Sequence, residues 1–460
     1  MTANRLSISS LALAAAAGWA TPAMAADDQA VVQELAAMRA QMAAMASRID
    51  ALETQLATAR AQADVATTAA EAASTSAAAA VEAAKSASDT KISWKGAPEI
   101  EGKGGWSFKP RGRLQYDAGF TDAPNSTGRP DGFGNEARRI RLGAEGTIPG
   151  GFGYKYEVDF AAGDAEITDA ILTYKDGPLT FSAGQHNNFQ GLEELTSSRF
   201  SSMIERAAFT DAFGFERRVG ASVQYADGPI LAQAGLFTDN IDALSNKNWG
   251  ADGRLVFAPK VADTQLHFGG SLHFADLQTG SSVRYRQRPL VHFTDQRFID
   301  TGTLGAARES GYGLEAAAIA GPFHAAAEGF WQHLARPGAL SNPTFFGGYA
   351  EVGYFLTSGD TRGYKGGQFD RTKPKNPVNK GGFGAVQVNL RYDWLDLVSA
   401  GIVGGKQAGY EASLVWTPTD YTRFLLNYAK LRYTNAVFPA AGGDRSYGVD
   451  AMGMRVQVDF

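Results

Sequence analysis

Cysteine is absent from all 460 residues, so no disulfide framework and no thiolate metal site can stabilise or equip this chain. Beyond an N-terminal leader, no apolar run is long enough to cross a bilayer as a helix. The formal net charge is only −5; with no basic block and no zinc-finger spacing, nucleic acid is not an expected partner. Histidine is scarce: positions 186, 267, 273, 292, 324 and 333. His267 and His273 share one strand face but stand roughly 20 Å apart, too far for one metal ion or a catalytic dyad. No nucleophile elbow accompanies them. No catalytic residue, metal or cofactor is expected, and an enzyme is not the reading.

What is plentiful is glycine, 53 residues, and aromatic side chains, 11%, a balance suited to a barrel with many turns and aromatic girdles. The last residues, Met454-Arg455-Val456-Gln457-Val458-Asp459-Phe460, alternate apolar and polar. That is the pattern of a strand with one face in lipid and one in a polar lumen. At the other end, Arg5, the apolar Leu11–Ala17 and Ala23-Met24-Ala25 read as a secretory signal over 1–25. Residues 26–85 follow, with Val31, Leu35, Met38, Met42, Met45, Ile49, Leu52 and Leu56 at alternating spacings of four and three. This a/d seam predicts a coiled coil, which needs partner helices. Alanines from Ala59 to Ala77 continue the register with little apolar surface, so from about residue 65 a tether is an equal alternative. Residues 86–106 read as a linker.

Over 107–460 the alternation recurs. In 108–120 the apolar Leu114, Tyr116 and Phe120 oppose Arg111, Arg113, Gln115 and Asp117. In 139–145 Ile140 and Leu142 oppose Arg139 and Arg141; in 152–160 Lys155, Glu157 and Asp159 face inward. Further strands fall at 167–176, 179–186, 217–226, 229–238, 248–258, 264–275, 310–321, 322–333, 345–358, 383–396, 407–417, 421–433 and 447–460. The fold class expected is an all-β membrane protein, a sixteen-stranded antiparallel transmembrane barrel preceded by a helical coiled coil. Tight turns at Pro149-Gly150, Asp176-Gly177-Pro178, Asp227-Gly228-Pro229, Gly321-Pro322 and Thr417–Asp420 fix the parity. That parity makes 276–309, with Arg284, Arg286 and Arg288, a long outer loop. It makes 359–382 a long basic connection on the opposite, periplasmic side. The 187–216 loop occupies the place where porins constrict.

Within that loop, Gly191-Leu192-Glu193-Glu194-Leu195-Thr196-Ser197-Ser198-Arg199-Phe200 and Met203-Ile204-Glu205-Arg206 resemble the phosphate-selective porin O and P family. The resemblance extends to Ile167–Tyr174, Tyr285-Arg286-Gln287-Arg288-Pro289 and Tyr354–Asp360 with Lys373-Pro374. It implies a homotrimeric outer-membrane channel passing small anions, phosphate among them. Rows of arginine supply both charge and donors to a dehydrating anion. The residues expected on the anion path are Arg111, Arg113, Arg139, Arg141, Lys155, Arg254, Arg284 and Arg286. Asn187, Glu193, Glu194, Ser197, Ser198 and Arg199 are expected in the constriction. The alternative for each arginine is a brace to a neighbouring carboxylate such as Glu145, Glu157 or Asp159. One departure is Gly184-Gln185-His186-Asn187: family members commonly carry a lysine where Asn187 stands, which puts strict phosphate preference in doubt. A weakly selective porin whose coil tethers the outer membrane to the cell wall is the other reading.

Overall fold

A computed structural model describes residues 28–85, 90–161, 163–244 and 247–460; the expected signal segment lies outside them. Residues Asp28–Lys85 form one continuous helix. Its seam side chains from Leu35 to Leu56 are 45–60% exposed, an apolar stripe on an otherwise Ala-rich helix.

The other unit is a sheet closed on itself. Its sixteen wall strands among the described residues are β1 (Ser107–Asp122), β2 (Gly132–Ile148), β3 (Phe152–Asp159), β4 (Glu166–Asp176), β5 (Leu179–Asn187), β6 (Arg217–Asp227), β7 (Ile230–Phe237), β8 (Trp249–Phe257), β9 (Thr264–Asp276), β10 (Arg308–Ala320), β11 (Phe323–Ala335), β12 (Thr344–Phe355), β13 (Ala385–Ser399), β14 (Ile402–Thr419), β15 (Thr422–Thr434) and β16 (Gly448–Asp459). Each pairs antiparallel with its neighbour, and β16 closes on β1 through Asp459 opposite Arg113. Closure satisfies the backbone groups that an open edge would leave bare in lipid. In β16, Met454, Val456 and Val458 face outward and Arg455, Gln457 and Asp459 are buried inward, as the alternation requires. The terminal Phe460 lies over Gly112, where an added Cβ would come within 2.2 Å of its ring.

Three differences from the sequence expectation have local causes. β2 starts at Gly132 rather than 139, because the polar stretch before Arg139 pairs with the second half of β1. β13 and β14 meet at Ala400-Gly401, so the expected connection over 397–406 is mostly strand. Inside the expected linker, Lys91–Trp94 and Pro98–Glu101 form a hairpin that pairs with the start of β1, burying Ala97 and Ile100.

The lumen is half core. Lumen-facing Phe330, Leu334, Phe345, Leu395, Leu397, Val415, Leu425 and Leu431 on β11 to β15 pack against Leu192, Ile204 and Phe209 from 188–216. Leu290, Phe298 and Ile299 from 277–307 join the same core. At Gly347 the wall touches the Phe209 side chain so closely that a Cβ would sit 2.4 Å away. The basic connection 356–384 also enters the barrel: Gly363–Lys365 pairs with Gln368–Asp370, and Phe369 is buried in the core. Arg362 then donates to the Phe200 carbonyl at 3.0 Å, and Arg254 to the Gly367 carbonyl at 2.7 Å. On the β1–β6 side, cavities remain among the lumen side chains.

Candidate functional site: an arginine-lined half-lumen

A β-bulge shapes this side. Gln115 of β1 pairs with Arg139, whereas Tyr116 pairs with Ala137, leaving Arg138 as the extra residue of β2. A bulge breaks the strict alternation of side-chain direction, and both arginines reach lumen groups. Arg138 makes a two-pronged pair with Glu205 of the inserted loop at 2.9 and 3.1 Å. Arg139 donates to Gln115 at 2.9 Å, and among the described residues it has no carboxylate within ion-pair distance.

Its neighbours are braced. Arg141 pairs with Asp159 at 2.7 Å and Glu157 at 3.0 Å; Arg113 lies 3.7 Å from Glu157 and donates to Ser198 Oγ at 2.8 Å. Arg111 pairs with Glu145. Lys155 and Arg217 share Asp169 at 2.6 and 2.8 Å. Bracing therefore describes the expected row on β1–β3, and among the described residues Arg139 is its exception there.

Two cavities run along the row. The one nearer the long loops, about 170 Å³, is lined by Arg138, Arg139, Arg206 and Arg288 with the carboxylates Glu194, Glu205 and Asp211. The one nearer the short turns, about 400 Å³, has eight cationic side chains in its lining against two carboxylates, Glu157 and Asp169. Arg139 and Arg206 belong to both linings. Arg206 is fixed there because its guanidinium caps the carbonyls of Glu193, Glu194 and Thr196 at 2.9–3.0 Å. Burial pushes the Glu194 carboxyl above the usual range. Burial acts the same way on Glu205, but Arg138 and Arg455 outweigh it and hold its carboxyl well below that range.

The remaining expected residues divide. Asn187, Ser197, Ser198 and Arg199 line the larger cavity, and the buried Asn187 Oδ1 has no hydrogen-bond partner among the described residues. Arg199 also lies 3.4 Å from Asp459. Glu193 instead pairs with Arg391 at 2.9 Å, in the wall behind the loop. Arg254 is locked to Glu315 at 2.7 and 3.1 Å, anchoring the inserted connection. Arg284 is half-exposed on Asp300, and Arg286 is exposed in a short pairing with 299–300; neither lines the two cavities. Arg138, Arg206, Arg217 and Arg288 were outside the expected set. Arg138 hides behind the bulge, and only an Arg-Arg pair in a strand would signal it.

His186 lines the larger cavity between Asn187 O at 2.8 Å and Ser222 at 3.2 Å. His267 meets Tyr364 of the inserted connection at 2.6 Å, and His273 meets Asp252 of the neighbouring strand at 2.6 Å; both rings are buried.

A closed barrel with a lipid-facing apolar surface, an inserted loop and a charged half-lumen defines an outer-membrane channel protein. The match to the model of the family "Phosphate-selective porin O and P" covers residues 108–460, and the chain belongs to that family. It is 49% identical over 389 residues to an uncharacterised protein of Caulobacter vibrioides, covering 82% of this chain and 78% of that one. It is 29% identical over 400 residues to porin O of Pseudomonas aeruginosa, covering 75% and 87%. Among solved structures, the trimer form of OmpT from Vibrio cholerae superposes with a TM-score of 0.50 at 11% identity, covering 77% of this chain and 100% of that one; that likeness is one of fold.

Proposed function

We propose that the protein is a passive, non-enzymatic channel for small anions, phosphate among them, and that the anions travel along the two cavities of the β1–β6 side. The observation that carries this reading is Arg139, a buried lumen cation in both cavity linings with no carboxylate partner among the described residues. An ion shedding water needs compensating charge and N–H donors at each step, and release needs several shallow sites rather than one deep one. The braced arginines serve the second need: their paired carboxylates dilute their pull while fixing their geometry. Family membership supports the same direction.

In this reading the short turns and the inserted 356–384 connection face the periplasm, and the helix of residues 28–85 assembles there with two further copies. The exposed heptad seam supports self-association. The trimer form of the Vibrio OmpT relative makes three the natural number. With Asn187 in the larger cavity instead of a lysine, phosphate is one accepted anion rather than an exclusive one.

Single-channel chloride current of the purified protein, recorded while phosphate is added, tests the reading. The current falls in the micromolar to millimolar range if phosphate enters the arginine row. A current indifferent to phosphate, or a cation-selective one, rejects it.

A further inference from the structure

The larger cavity contains more than charge. On β4, Asp169, Ile171 and Thr173 occupy successive inward positions, so an isoleucine sits in the charged row. Ile171 lies between Lys155 on β3 and Gly184 on β5. Gly184 has no side chain, so the residue directly opposite on β5 does not cover the isoleucine. Leu195 of the inserted loop and Phe189 at its start line the same cavity, and Phe189 is held by ring contacts to His186 and Phe237 at 6.1 and 6.0 Å. Ile171 and Leu195 are both only partly buried.

An inorganic anion gains nothing from such a corner, which offers no donor and displaces water that would otherwise solvate it. The cavity, at about 400 Å³, also falls within the span of roughly 300–1,000 Å³ typical of sites for organic molecules; its wall is mostly charged, and Ile171, Leu195 and Phe189 form its one apolar corner. Resting on the anion-channel reading above, we infer that the larger cavity is a binding site for doubly charged organic anions bearing an apolar body. The head group meets Arg139 and the neighbouring cations, and the body lies against Ile171, Leu195 and Phe189.

The test is block of chloride current through the full-length protein in planar bilayers by inorganic phosphate and by phenyl phosphate, at a pH where both carry two charges. The head groups match and only the ring differs. Phenyl phosphate is expected to block at about tenfold lower concentration, the change when on the order of 50 Å² of apolar surface leaves water. In Ile171→Thr, which keeps a β-branched residue in the strand, and in Leu195→Thr, the ratio of the two blocking concentrations is expected to fall to within about twofold, read on the same scale. Equal block by both anions in the unaltered protein overturns the inference while leaving the channel reading intact. A preference that survives in both variants also overturns it and leaves the two side chains as a seat for the loop only. A pore that neither anion blocks, with no anion selectivity, removes the anion reading of the channel on which the inference rests.

Discussion

Arg138 and Arg139 are consecutive on one strand, yet one clamps the inserted loop through Glu205 and the other stands open to both cavities. The bulge separates structural and conductive roles between adjacent residues. Arg138→Gln is therefore predicted to lower anion preference less than Arg139→Gln does. It weakens the grip on Glu205 by about 1.5–3 kcal/mol, the range for a charged hydrogen bond. Arg455, 2.9 Å from Glu205, keeps part of that grip, so the expected signature is greater open-channel current noise rather than loss of the pore.

A wall carboxylate holds the backbone at the start of the inserted loop. Glu328 of β11 accepts the backbone N–H groups of Leu192 at 2.8 Å and Glu193 at 2.6 Å, and Tyr349 donates to it at 2.9 Å. Glu328→Ala strands two buried donors at roughly 1–3 kcal/mol each. Trypsin should then cut folded protein at Arg199 or Arg206 faster than it cuts the parent; equal digestion rates would place the anchor elsewhere.

Acidification is predicted to increase anion preference. Glu194 faces the smaller cavity with a carboxyl raised by burial. It takes up a proton at higher pH than an ordinary carboxylate, and that uptake removes a negative charge that repels the anion. Glu205, held low by its arginines, stays charged over the same interval. Reversal potential recorded as pH is lowered from neutrality should move toward the chloride limit. Glu194→Gln should start nearer that limit and move less.

Ile49→Asp with Leu52→Asp places charge in the exposed helix seam. Oligomers of the detergent-solubilised protein should dissociate more readily, with conductance per pore unchanged. Oligomers as robust as the parent's would show that the helix does not associate through this face.

The barrel was legible because its wall obeys a period of two: all sixteen expected strands are present, and their faces follow the alternation in segments such as β1, β3 and β16. What fills the lumen was not. Leu395, Leu425 and Leu431 occupy inward positions, where alternation alone predicts polarity, because the inserted segments turn half the lumen into a core. Arg206 owes its place to loop carbonyls, which no spacing along a strand encodes; Arg254 faces inward as the alternation requires, but its bond to the Gly367 carbonyl depends on a connection that folds back inside. Arg139 was found from alternation, but its distinction from Arg111, Arg113 and Arg141 lies in which carboxylates come within reach, a property of the closed barrel.

Reversal potential under a potassium chloride gradient, measured side by side for the parent protein and Arg139→Gln, tests the central claim most directly. An anion-selective parent whose preference drops sharply, with phosphate block weakened on the order of tenfold as for loss of one charged hydrogen bond, is the predicted result. An identical reversal potential and undiminished phosphate block in Arg139→Gln would contradict it and move the anion route away from the β1–β6 wall.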